Sequence, residues 1–265
     1  MTQKILLLAS LLIASPAFSQ ETEKAVSPPK GTSSLTEPQQ KILFIGNSYT
    51  AQVKAAVIKL FAVSPHQDIG FTFITPGGRS LTQHLENKAT LKKIAEGGWD
   101  IVVLQDQSQT PAVFPKKFLA ASLTLHRAIN KAGAKTTYYE TWGHRDGDKR
   151  NAQRFPTYEK MQKAVSQSYQ KAAKRDDAIL VRVGEAWRSV RAENPALGEQ
   201  LYKKDGSHPS AKGAYLAACC FYSALTDDDP RKVDFHAGLD AGTVEFLREK
   251  ATATQPRISP SPLKK

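Results

Sequence analysis

Between residues 41 and 251, short apolar runs alternate with stretches whose apolar residues recur at helical spacing. Lys41-Ile42-Leu43-Phe44-Ile45-Gly46 is nearly continuous in apolar character, the mark of a strand buried on both faces. Residues 69–74, 100–104, 135–140 and 179–183 read as four more strands, with strong β-branched content in Ile101-Val102-Val103. Helical spacing covers residues 51–63, 81–95, 116–131, 158–174 and 209–225, and a further helix is expected over 238–249. Gly133 follows the third of these helices as a C-cap, and Pro209 stands in the first turn of the fifth. Strands that alternate with helices of this length imply right-handed βαβ crossovers and a parallel sheet covered on both sides. The predicted fold is therefore α/β: a three-layer α/β/α sandwich with a mostly parallel sheet of about five strands. Ligands bind at the carboxyl ends of the strands in such sheets, so chemically active residues are expected just after strands.

The two ends of the chain have a different character. Lys4 precedes the apolar run 5–14 (ILLLASLLIA), and Pro16 and Ala17-Phe18-Ser19 follow it. That run has the length of a signal-peptide core and is too short to span a bilayer. Residues 1–19 are read as a signal peptide, and no Cys stands at the cleavage site to accept lipid. Residues 20–40 are polar and rich in Pro, Ser, Thr and Glu, residues 252–265 have the same character, and the two are read as a disordered linker and a disordered tail around a domain spanning 41–251. The mature chain is thus expected to be exported, to the periplasm or the exterior, with no stable membrane anchor. The only cysteines, Cys219 and Cys220, are adjacent and read as small apolar residues on a helix rather than a disulfide. The formal net charge is +12, yet Lys and Arg are scattered and no nucleic-acid motif interleaves them with aromatics. Attraction to anionic polysaccharide or lipid headgroups and plain surface charge are both compatible with this.

Polar residues follow the predicted strands as expected. Gly46-Asn47-Ser48-Tyr49-Thr50 lies after the first strand and opens the first helix. A serine at such a turn presents Oγ at the sheet edge, beside the free N–H groups of the helix terminus; it is also an ordinary N-cap sequence. Thr75-Pro76-Gly77-Gly78-Arg79-Ser80 follows the second strand, and paired glycines let backbone approach a ligand. Gln105-Asp106-Gln107-Ser108 follows the third, where a carboxamide can donate to an oxyanion. Asp205-Gly206-Ser207-His208 precedes the last long helix. An Asp three residues before a His can fold back, accept the Nδ1–H bond and leave Nε2 free as a base; the same residues also suit a polar turn. In the segment 138–145, Trp142 can stack on a sugar ring and His144 or Arg145 can contact a polar or anionic group, while burial of an aromatic strand end is the equal alternative. His66, His84, His126 and His236 lack a partner pattern and read as surface or core residues. Asp106, His144, Asp205 and His208 form a conceivable metal set, but no compact ligand motif joins them.

In order and placement these blocks resemble the SGNH (GDSL-like) hydrolases, a family with a flavodoxin-like sandwich. The resemblance runs through short blocks within about residues 41–226. It implies Ser48 as nucleophile, with Asp205 and His208 completing the triad. It also implies an oxyanion hole formed by the N–H groups of Ser48 and Gly78 and the amide of Gln107. Gln105 competes with Gln107, and Gly77 or the N–H of Arg79 with Gly78. Two departures mark a divergent branch: Gly46-Asn47-Ser48 replaces Gly-Asp-Ser, and Gln105-Asp106-Gln107-Ser108 replaces Gly-x-Asn-Asp. The α/β-hydrolases share the order Ser, Asp, His, but their G-x-S-x-G elbow would need Gly where Thr50 stands. The resemblance implies hydrolysis of a small acyl ester without a cofactor. The substrate expected is a small-molecule or polysaccharide ester, with removal of an acetyl group from a carbohydrate foremost. The alternatives are an inactive glycan-binding protein on this scaffold and a metal-dependent phosphoesterase.

Overall fold

A computed structural model describes residues 39–256 together with Leu263. The signal-peptide reading, the linker up to residue 38, and the tail beyond residue 256 apart from Leu263 lie outside the described residues. Strand β1 (Gln40–Ile45) leads into helix α1 (Ser48–Ala62), and β2 (Ile69–Ile74) into α2 (Leu81–Leu85) and α3 (Lys88–Ala95). After β3 (Ile101–Leu104) come α4 (Thr110–Val113) and α5 (Pro115–Lys131); after β4 (Lys135–Glu140) comes α6 (Tyr158–Asp176). Strand β5 (Ile179–Arg182) is followed by α7 (Val183–Glu193), α8 (Pro195–Gln200), α9 (Ala211–Thr226) and α10 (Ala241–Thr254).

All five strands pair in parallel, in the order β2-β1-β3-β4-β5. The chain steps one way from β1 to β2 and the other way from β3 onward. A topological switch point therefore opens between the carboxyl ends of β1 and β3, where α/β sheets bind ligands. Alternate strand residues feed two separate cores, as the two-residue period of a strand requires. Ile42, Phe44, Ile101, Val103 and Tyr139 point into one, with Val53, Leu60, Trp187 and Phe221 from the helices. Leu43, Ile45, Val102, Leu104 and Tyr138 point into the other, with Phe118, Leu125, Met161 and Val165. Helix α9 is buried almost all round, and Cys219 and Cys220 are buried free thiols within it. Among the described residues, no helix is long and apolar enough to cross a membrane.

The helix expected over 81–95 is broken in two at Asn87. Its side chain accepts from the backbone N–H groups of Ala89 and Thr90 at 2.9 and 3.1 Å and so starts a new helix. Helices α7 and α8 were not expected, because α7 begins at Val183 directly after β5, with no polar loop to separate the two apolar runs. Helix α10 continues through Thr254, past the start of the expected tail at 252. Gln255 then accepts from the backbone N–H of Arg182 at 2.8 Å, which ties the chain back to the edge of the sheet.

Candidate active site

Ser48 is the first residue of α1, and Asn47 is its N-cap. The Asn47 carboxamide works in two directions. Its oxygen accepts from the N–H of Tyr49 at 3.1 Å, and its nitrogen donates to the carbonyl of Arg79 at 2.9 Å. A carboxylate could not make the second bond, so asparagine at this position fastens the loop after β2 to the loop after β1. Gly46 is required by crowding: a Cβ there would collide with Thr50 Oγ1 and Gln105 Oε1. The buried ring of His84 donates from Nε2 to the Gly46 carbonyl at 2.8 Å. Burial holds that imidazole's pKa below its ordinary value, and a neutral ring suits a single donated bond.

His208 Nε2 lies 2.9 Å from Ser48 Oγ, and His208 Nδ1 lies 2.6 Å from Asp205 Oδ2. Asp205 Oδ1 accepts from the N–H groups of Ser207 and His208 at 2.9 and 3.0 Å. Partial burial works against the Asp205 charge, but these two N–H groups and the His208 side chain hold its carboxyl below the usual carboxylate range. An imidazole aligned this way can take a proton from the serine while the carboxylate stabilises the resulting cation. The first N–H groups of a helix lack intrahelical partners, so the start of α1 offers donors where charge would develop on an attacked carbonyl.

An open cleft of about 340 Å³ surrounds Ser48. Gly78, Gln107, Ser108, His144 and His208 line it, whereas Gly77, Gln105 and Arg79 do not. Gln105 is fully buried, and its Oε1 accepts from the N–H of Asn47 at 3.0 Å and from Thr50 Oγ1 at 2.8 Å. It joins the β3 loop to the β1 loop and has no amide left for the cleft. Gln107 has the opposite disposition. Its Oε1 accepts from the N–H groups of Gln109 and Thr110 at 2.9 and 3.2 Å, while its Nε2 has only long contacts of 3.4 and 3.5 Å. The carbonyl end is anchored and the donor end, which borders the cleft, is held only loosely.

Asp106 was read from sequence only as one member of a conceivable metal set. Its Oδ1 accepts from Leu81 N–H at 2.9 Å and from Gln107 N–H at 2.7 Å, so one buried carboxyl holds the β2 and β3 loops together. Burial pushes its pKa up to about 7 against those two bonds, and Oδ2 has no partner. Among the described residues, no three His, Cys, Asp or Glu side chains are grouped so as to hold a metal ion.

Two expectations for the segment after β4 are corrected. Trp142 presents no face to a ligand: it is 0% exposed, stacked on Trp187 at 3.9 Å and on Tyr49 at 4.9 Å. Its Nε1 donates to the Ser207 carbonyl at 2.9 Å, and the Tyr49 hydroxyl meets Ser207 Oγ at 2.6 Å. The aromatic stack thus braces the turn that carries Asp205 and His208. Arg145 does not line the cleft either; it pairs with Asp146 at 3.0 Å and Glu199 at 3.4 Å. His144 does line the cleft, with Nε2 at 3.1 Å from Ser108 Oγ. Burial lowers its pKa, outweighing the opposing pull of Asp148 and Asp205. The cations that line the cleft are Lys149 and Arg150, which sequence reasoning did not single out.

The five-stranded parallel sandwich is that of an SGNH (GDSL-like) hydrolase, and the chain belongs to that superfamily. A protein from Slackia heliotrinireducens described as an SGNH hydrolase matches with a TM-score of 0.60 and 27% identity, over 70% of this chain and 98% of that one. A DUF4886 family protein from Bacteroides uniformis matches with a TM-score of 0.66 and 19% identity, over 81% and 93% of the two chains. Axe2, an acetylxylan esterase from Geobacillus stearothermophilus, matches with a TM-score of 0.53 and 17% identity, over 75% and 96%. No family model and no curated protein matches the sequence.

Proposed function

We propose that the protein is an exported serine esterase that removes a small acyl group, foremost acetyl, from a carbohydrate. The observation that carries this reading is the hydrogen-bonded line Ser48–His208–Asp205, with spacings of 2.9 and 2.6 Å, beside an open cleft. Ser48 Oγ attacks the ester carbonyl as His208 Nε2 takes its proton. The Ser48 and Gly78 N–H groups and Gln107 Nε2 receive the oxyanion. His208 gives the proton to the departing alcohol, then activates a water that releases the acyl group from Ser48.

The lining of the cleft supports a small acyl group. Gln107, Ser108, His144 and Asp205 face it, and among the described residues no Val, Leu, Ile or Phe does, so a long acyl chain would find no aliphatic side chain to pack against there. The acetylxylan esterase among the structural neighbours agrees with a carbohydrate ester, and the segment 1–19 agrees with export. The test is hydrolysis of p-nitrophenyl acetate, butyrate and octanoate by residues 20–265, beside the Ser48→Ala protein. Turnover is expected to fall from acetate to octanoate and to vanish in the variant. Equal rates in both proteins would remove Ser48 from the mechanism.

A further inference from the structure

One wall of the cleft is formed by residues 146–150, and it carries two cations with no part in the acyl-transfer steps. This wall is firmly built. Residues Lys149–Asn151 form a single 3-10 turn capped by Asp148, which is 1% exposed. Asp148 Oδ1 accepts from the N–H of Arg150 at 3.0 Å and from Gln109 Nε2 at 2.7 Å, and Oδ2 accepts from Asn151 Nδ2 at 2.7 Å. The N–H of Asp148 donates to the Phe155 carbonyl at 2.9 Å. Gly147 has φ +78°, and a Cβ there would press into the backbone of Phe155, Pro156 and Thr157. The β3 loop and the chain before α6 thus hold the turn from two sides and fix where Lys149 and Arg150 emerge.

The charges around the cleft differ in what they are free to do. Each of its three carboxylates is engaged: Asp205 with His208, Asp146 with Arg145, and Asp148 with the three donors just named. Lys149 and Arg150 are exposed, and among the described residues neither side chain closes an ion pair or a hydrogen bond. A guanidinium offers a planar fork that fits an oxyanion with two parallel bonds, and an ammonium adds a compact point charge beside it. The formal net charge of +12 adds long-range attraction for a polyanion.

We propose that the natural ester carries an anionic group, a carboxylate or a sulfate, close to its acylated position, and that Lys149 and Arg150 bind that group. This rests on reading the cleft as an esterase site. It makes the substrate an acylated acidic saccharide rather than a neutral one.

The test uses ester pairs that differ by one charge: an O-acetylated methyl galacturonoside as carboxylate and as primary amide, and an O-acetylated methyl galactoside with and without a 6-sulfate. The quantity read is the ratio of kcat/KM, charged over neutral. At low salt the ratio should be about tenfold or more in favour of the charged ester, as expected for hydrogen bonds to a charged group. It should fall toward one in the Lys149→Gln/Arg150→Gln protein and on raising ionic strength. The sugar that keeps the larger ratio shows whether the site takes a carboxylate or a sulfate. A wild-type ratio near one, or a ratio untouched by the double substitution, would overturn the proposal. Calorimetric binding of the same four compounds to the Ser48→Ala protein separates this proposal from the esterase reading. If no ester is hydrolysed, charge-selective binding that the double substitution abolishes sustains the anion site and sinks only the esterase. Binding without charge selectivity overturns the anion site whatever the hydrolysis shows.

Discussion

The two ends of the sheet each hold a histidine against an aspartate, and only one of them sets a serine hydroxyl against the ring of that histidine. At the carboxyl end, His208 Nδ1 meets Asp205 at 2.6 Å and Nε2 meets Ser48 Oγ at 2.9 Å. At the amino end, His66 Nε2 meets Asp228 at 2.8 Å in a recess lined by Gln40, Asp68 and Asp100. A serine lies near His66 as well, but Ser64 Oγ donates to the Phe61 carbonyl and accepts from the N–H of His66, closing the end of α1. The ring of His66 packs edge-on against Tyr222. What separates the two ends is therefore not the presence of Ser, His and Asp. At the carboxyl end the serine hydroxyl faces the histidine, at the free N-terminus of a helix, with an anchored carboxamide across the cleft. At the amino end the serine is consumed by its own backbone.

The largest expected effect comes from Ser48→Ala, which should cost on the order of 10⁵–10⁶ in esterase turnover. His66→Ala should lower Tm by roughly a few degrees and leave turnover per folded molecule unchanged. Comparable activity losses in the two variants would break the contrast between the ends. Next comes Asp205→Asn, for which a loss of roughly 10⁴ in kcat is expected because an amide cannot hold the imidazole in the productive tautomer. Asp228→Asn, measured beside it, should retain wild-type kcat. Gln107→Ala should reduce kcat by on the order of 10²–10³ with little change in KM, since an oxyanion donor acts in the transition state. Tyr49→Phe removes the bond to Ser207 Oγ and should cost about tenfold in kcat, the scale of one hydrogen bond.

The smallest effect is on stability and concerns a buried acid at the carboxyl end. Burial pushes Glu140 up to about 8 although Ser166 donates to it, and its Oε2 has no partner. The unfolded chain loses this proton near the ordinary carboxylate pKa while the folded chain keeps it, so the group's contribution declines as pH rises from about 5 to about 8. His84 and His144, depressed by burial, act in the opposite sense below about pH 6.5. Comparison with a variant isolates the acid: the Tm of Glu140→Gln minus that of wild type should increase between pH 5.5 and pH 8.5. A difference that is flat across this range would mean that Glu140 is ionised in the folded protein throughout.

The parts of the molecule legible in the sequence are those encoded by near neighbours. The run Ile42–Ile45 reads as a doubly buried strand because each side chain serves one of two cores. Asp205 and His208 read as a pair because three residues span a single turn. Long-range ties left no such trace. Asp106 bridges to Leu81 across 25 residues, and Gln105 to Asn47 across 58. Gln105 and Gln107 are the same residue type two positions apart, and only the path of the loop after β3 buries one in the protein and sets the other at the cleft. Trp142 reads equally as a sugar platform or a core residue, and its partner Trp187 lies on α7, a helix hidden by its direct junction with β5. Arg145 was expected at the cleft for its place after a strand, but its side chain is taken up by Asp146 and Glu199, and the next turn supplies Arg150 to the lining instead.

The central claim, that the carboxyl end alone holds an activated serine, is tested most directly by labelling residues 20–265 with a fluorophosphonate and measuring intact and peptide masses. One adduct per chain is expected, on the peptide containing Ser48, absent from the Ser48→Ala protein and slowed in Asp205→Asn. An esterase-active protein that carries no adduct at Ser48, or carries it at Ser64, would contradict the account.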